Sequence, residues 1–130
     1  HAPHLLSEKE APYLQSPSGI PLIQHSLPAM LELARQGYFS LTDVVRLMCH
    51  SPADCFKISR RGYLRKGYFA DITIVDPDKP SDATNVYRCG WTPFTRFSTT
   101  VVHTLVNGIP VVRNSQLTGL KSSLPLSFDD

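Results

Sequence analysis

Gly67-Tyr68-Phe69-Ala70-Asp71-Ile72-Thr73-Ile74-Val75-Asp76 is where the chain changes its period. Before it, apolar residues recur at helical spacing. From Ala70 they alternate, carry β-branched side chains, and stop at Pro77. That pattern predicts a half-buried strand over 70–76. The chain therefore divides near residue 60, with a loop and helices in 1–60 and an extended segment in 61–130.

Downstream, residues 77–98 hold Pro77, Pro80, Gly90 and Pro93 and few periodic apolar residues, so they read as a long connection. A second strand is predicted over 100–106. Asn107-Gly108 then suits a tight hairpin, because both residues tolerate positive φ. The return strand is 109–113, with Pro110 suited to a strand start or an edge because it has no amide donor. The tail from Lys121, with two prolines and three serines, reads as extended on a surface.

Upstream, residues 1–19 are loop-like, punctuated by Pro3, Pro12, Pro17 and Gly19. From Leu22 the pattern is helical. Leu27, Met30, Leu31 and Ala34 share one face, and Gly37 is placed to stop the helix. Ser40 offers an N-cap with Asp43 three residues on. Leu41, Val44, Val45 and Met48 line the next apolar face. Ser51-Pro52 is read as the restart of a third, short helix.

Composition sets bounds. The 130 residues, 42% of them hydrophobic, are enough for one modest core. A net charge of +2 from 13 basic and 11 acidic residues makes no electrostatic case for nucleic acid or a membrane surface. Arg60-Arg61 and Arg65-Lys66 read as a solvated loop. No apolar run approaches the roughly 20 residues of a membrane span. Cys49, Cys55 and Cys89 lack CxxC spacing, which suggests reduced thiols in a cytoplasmic protein rather than a disulfide framework. His25, His50 and His103 have no mutual metal spacing and read as structural, His50 as a cap on a helix end. Asp71 and Asp76 read as a charge-assisted turn and a strand exit, and Trp91 and Phe94 as packing anchors.

Helices followed by a few strands do not make a convincing independent domain, and the helices carry more apolar surface than the strands need. The order of segments resembles the C-terminal end of the cyclic amidohydrolases, and most closely the dihydroorotases. Four stretches carry the likeness: His1-Ala2-Pro3-His4, Ser16-Pro17-Ser18-Gly19-Ile20-Pro21, the 67–76 strand, and Gly90-Trp91-Thr92-Pro93-Phe94 leading into Val106-Asn107-Gly108. The Gly-x-x-Ala-Asp strand is shared across amidohydrolases, whereas Ala-Pro-His with Trp-Thr-Pro-Phe points more narrowly to dihydroorotases.

The resemblance implies an α/β fold. Residues 1–60 would be the end of a (β/α)8 barrel, from its last strand end through the closing helices. Residues 61–130 would be the C-terminal part of a small β-sandwich and a tail. His1–His4 would leave the barrel at the rim where such enzymes place their chemistry. The implied activity is the reversible hydrolysis of dihydroorotate to N-carbamoyl-aspartate in pyrimidine synthesis. A zinc pair would polarise the amide carbonyl and lower the pKa of a bridging water. The family's metal ligands match no residue of 1–130, and its general-base aspartate would stand just before His1. The segment alone is therefore expected to be inactive and to need the rest of the barrel; homodimers are common in the family.

The resemblance assigns substrate binding to three residues. His4 matches a histidine that binds the substrate carboxylate, where a ring N–H or a cationic imidazole suits an anion. Ser18 and Gly19 match a backbone site for the amide edge of the ring. His1 only follows the ligating aspartate and is given a structural role. An allantoinase, a hydantoinase or a dihydropyrimidinase is the first alternative, and His4 argues against the last, whose substrate lacks the ring carboxylate. A noncatalytic homologue or a stand-alone binding module are the others.

Overall fold

The 27/30/31/34 spacing produces helix α1, Ser26–Arg35, with Pro28 and Leu31 buried. A computed structural model describes residues 8, 10–18, 25–82 and 96–129. The end of α1 is a Schellman turn. Tyr38 N–H donates to the Leu33 carbonyl at 3.0 Å and Gly37 N–H to Ala34 at 3.0 Å, with Gly37 at φ 86°. Ser40 then opens the next helix through a reciprocal capping box. Its Oγ accepts from Asp43 N–H at 3.0 Å, and its own N–H donates to Asp43 Oδ2 at 3.1 Å.

Helix α2, Leu41–Val45, does not end before Ser51-Pro52 as the sequence suggests. It continues through a π-helical turn, Arg46–His50, into α3, Ser51–Cys55. Pro52 accounts for the wider turn. It has no N–H for the Met48 carbonyl, and its ring would strike that carbonyl in a regular helix. Ser51 N–H instead reaches the Arg46 carbonyl, and one extra residue is absorbed in the turn. His50 is thus inside a continuous helix, makes no capping bond, and stacks on Tyr63 at 4.2 Å. The expected apolar face is only partly covered: Val44 is buried while Leu41 is 64% exposed.

In the extended segment the strands are β1, Ile72–Asp76; β2, Ser81–Asp82; β3, Arg96–Phe97; β4, Thr100–Val106; β5, Ile109–Arg113; and β6, Gln116–Leu117. An antiparallel sheet joins β1, β4, β5 and β6 in that order. Strand β1 starts later than the alternation suggests, because Asp71 N–H turns back onto the Phe69 carbonyl at 3.0 Å. Two bulges bend the sheet. Val102 is extra on β4, since Ile74 faces His103 and Val75 faces Val101. Val111 is extra on β5, directly after Pro110, so the missing amide donor falls beside an irregularity that tolerates it.

Asn107 at φ 52° and Gly108 at φ 81° make the expected two-residue hairpin turn. A second such turn, Asn114 at φ 50° and Ser115 at φ 63°, adds the unpredicted β6. Within the stretch read as a connection, β2, Ser81–Asp82, pairs with β3, Arg96–Phe97. Among the described residues Phe97 is the most buried large side chain, 2% exposed, and Thr99 and Thr100 are buried beside it. Burial of this kind stabilises by roughly 2–3 kcal/mol per aromatic side chain. The tail is extended and largely exposed, as expected. It crosses to the helices, where Ser59 N–H donates to the Ser127 carbonyl and Asp129 N–H to the Lys57 carbonyl, each at 2.8 Å.

Candidate functional site

Asp71 joins the two halves of the strand motif. Its carboxylate accepts the Asn107 N–H at 2.8 Å on one oxygen and pairs with Arg61 on the other. Arg61 also donates to Asn107 Oδ1 at 3.1 Å, lies 4.1 Å over the Phe69 ring, and keeps only 11% of its side chain exposed. The Asn107 amide in turn donates to the Ser122 carbonyl, and Ser122 Oγ donates to the Val106 carbonyl at 2.8 Å. Gly-x-x-Ala-Asp and Asn-Gly are therefore one structural junction that also pins the tail. Arg61, read from sequence as part of a solvated loop, is its centre. An aspartate at a strand entrance needs a cation, and that need was the available signal.

Residues 12–16 fold into a tight turn, with Gln15 N–H donating to the Pro12 carbonyl at 2.8 Å and Ser16 N–H at 2.9 Å. Tyr13 and Leu14 stand at its tip, 92% and 94% exposed. Ser18 follows the turn and is exposed. His1, His4, Gly19, Cys89, Trp91 and Phe94 lie outside the described residues.

The other histidines are held within the fold. His25 stacks on Phe97 at 5.5 Å, and His103 Nδ1 accepts from Asn114 N–H at 3.4 Å.

Several carboxylates are engaged in local bonds. Glu32 accepts from Ser98 Oγ at 2.6 Å and from the Gln36 amide at 3.1 Å. The Ser98 hydroxyl is the main reason its carboxyl lies below the usual glutamate range, with Gln36 and Arg35 adding to the effect. Asp54 accepts from Tyr63 Oη at 2.7 Å, and this bond raises the Tyr63 phenol above its ordinary value. Asp76 accepts from Asp78 N–H at 3.0 Å, the strand exit expected of it. Among the described residues no three His, Cys, Asp or Glu side chains gather as a metal site, so these residues do not fit a zinc pair. They also include no helix long and apolar enough to cross a membrane.

The amidohydrolase family matches residues 16–111. A dihydroorotase of Halobacterium salinarum is 38% identical over 100 residues, covering 72% of this chain and 23% of that protein. A dihydroorotase of Pyrococcus furiosus is 34% identical over 124 residues, covering 92% and 29%. The chain thus spans less than a third of these relatives. Among solved structures, D-hydantoinase from Bacillus sp. AR9 superposes with a TM-score of 0.75 at 28% identity, over 88% of this chain and 27% of that one. L-hydantoinase (dihydropyrimidinase) from Arthrobacter aurescens gives 0.69 at 28%, over 80% and 25%. With helices α1 to α3, strands β1 to β4 and the Asp71–Asn107 junction inside the matched region, the chain belongs to the amidohydrolase family.

Proposed function

We propose that this chain is the substrate-recognition part of a zinc-dependent dihydroorotase, a cytoplasmic enzyme of pyrimidine synthesis that reversibly hydrolyses dihydroorotate to N-carbamoyl-L-aspartate. In this reading residues 1–60 end a (β/α)8 barrel and residues 61–130 supply strands of a small β-sandwich. The observation that carries it is the likeness to archaeal dihydroorotases, 34% identical along 92% of the chain in one case, in a sequence that holds Ala2-Pro3-His4 and Ser18-Gly19.

His4 would bind the ring carboxylate by a charge-assisted hydrogen bond. Ser18 and Gly19 would present backbone to the amide edge of the ring, glycine allowing close approach. The zinc ligands and the general base would come from residues beyond this segment. The fold neighbours named hydantoinase keep a second reading open, in which the ring is a hydantoin.

The test is ring opening of dihydroorotate by the intact enzyme that carries this segment, with zinc added and then chelated. Zinc-dependent turnover is the expected result. Turnover of a hydantoin with dihydroorotate untouched would replace the substrate, and the absence of both turnover and bound zinc would favour a noncatalytic homologue.

A further inference from the structure

Asparagine followed by glycine, as at Asn107-Gly108, is the pair most prone to spontaneous deamidation, because glycine has no side chain to shield its own nitrogen. In that reaction the Gly108 nitrogen, on losing its proton, attacks Asn107 Cγ. A nitrogen–carbon bond forms, the Cγ–Nδ2 bond breaks, and ammonia leaves with a proton in exchange. Water then opens the cyclic imide at either carbonyl, giving aspartate or isoaspartate with no change of oxidation state.

The fold holds the groups this reaction needs. Gly108 N–H donates to the Ala70 carbonyl at 2.9 Å. Arg61 Nη2 donates to Asn107 Oδ1 at 3.1 Å, and Asn107 Nδ2 donates to the Ser122 carbonyl. Both holders are themselves fixed. Arg61 is paired with Asp71 and lies over the Phe69 ring, and Ser122 Oγ donates back to the Val106 carbonyl. To reach the Gly108 nitrogen the Asn107 side chain must swing, so all three bonds have to open together. The second asparagine turn has no such clamp. Asn114 also has positive φ, 50°, but it is exposed, and its side-chain amide has no hydrogen-bond partner among the described residues.

We propose that Asn107 is a latent deamidation site, held closed by Arg61 and the tail, and that its modification loosens the tail. The product places a carboxylate where an amide donated to Ser122, beside the Asp71 carboxylate that already shares Arg61. Isoaspartate also adds a backbone carbon to a two-residue turn. Either change removes the bond that holds Ser122, where the strap toward Lys57 leaves the sheet. Hydrolysis of the imide does not reverse in water, so an opening of the junction would leave a lasting mark.

The test follows the Asn107 and Asn114 peptides by mass spectrometry while the intact protein that carries this segment is kept warm at mildly alkaline pH. In the folded parent, Asn107 should deamidate about a hundredfold more slowly than in urea. It should trail Asn114 when folded and lead it in urea. Arg61→Ala should speed the folded-state reaction about tenfold. Arg61→Lys keeps a charge beside Asp71 without the forked second donor, and should also speed it even if Arg61→Ala folds poorly. For the tail, trypsin should cut Asn107→Asp after the exposed Lys121 about fivefold faster than the parent. A folded parent that deamidates at Asn107 as fast as in urea, or Arg61→Lys at the parent's rate, would overturn the gate. An Asn107→Asp tail as resistant as the parent's would overturn the loosening.

Discussion

Gly62 and Gly37 both have positive φ, 79° and 86°, yet they do different work. A Cβ on Gly62 would stand 2.4 Å from the Ala53 Cβ and 2.7 Å from the Cys49 carbonyl oxygen, against the π-turn and α3. A Cβ on Gly37 would meet nothing within 4 Å. Gly37→Ala should therefore cost only the left-handed strain, about 1 kcal/mol. Gly62→Ala adds an overpacked contact with backbone and should cost about 3 kcal/mol. Urea unfolding of the intact protein separates the two, and equal losses would mean that the loop does not close on the helix. Single residues were unevenly legible in the sequence. Asn107-Gly108 announced its turn by composition. Arg61 did not announce itself, because nothing local distinguishes the cation that turns inward from Arg60 beside it. Its partners Asp71 and Asn107 are brought to it only by the fold.

Caps made the helices readable, and proline misled. The Gly37 stop and the Ser40–Asp43 box were both visible as residue types at fixed spacing. The Ser51-Pro52 pair suggested a break because a proline usually ends a regular helix, whereas a π-turn lets this one continue. Ser40→Ala should destabilise α2 by about 1 kcal/mol, read from the denaturation midpoint. The box also has a pH signature. The Ser40 hydroxyl and N–H, with Arg46, hold the Asp43 carboxyl below the ordinary 3.8 in the folded chain. A depressed folded value means that the contribution is present above 3.8 and is lost as pH falls through the lower folded value. Ser40→Ala should therefore show a weaker loss of stability in that acid window than the parent, and parallel acid profiles would remove the box as a contributor. Strands were legible by alternation where they are long. β2, β3 and β6 have two residues each, too few to carry a period.

The organisation of the whole chain follows from its unequal halves. Hairpins join β4 to β5 and β5 to β6 in an open sheet, and Leu41, Val45 and Phe56 leave apolar surface open on and just after the helices. The long strands β1, β4 and β5 are legible from period changes alone. The family likeness and the proposed substrate rest on short motifs, since residues such as His4 and Gly19 carry no periodic signal and gain meaning only from resemblance. Of the three proposed binding residues, Ser18 is placed, exposed beyond the Pro12 turn, and His4 and Gly19 lie outside the described residues. In the proposed function this segment would recognise the carboxylate of dihydroorotate. Dihydrouracil has the same ring without that carboxylate, so the decisive measurement is kcat/KM for both rings with the intact enzyme and its His4→Ala variant. The parent should prefer dihydroorotate, and His4→Ala should lose about a hundredfold on it while dihydrouracil changes little. Unchanged constants for dihydroorotate in His4→Ala, or a parent that opens dihydrouracil equally well, would contradict it.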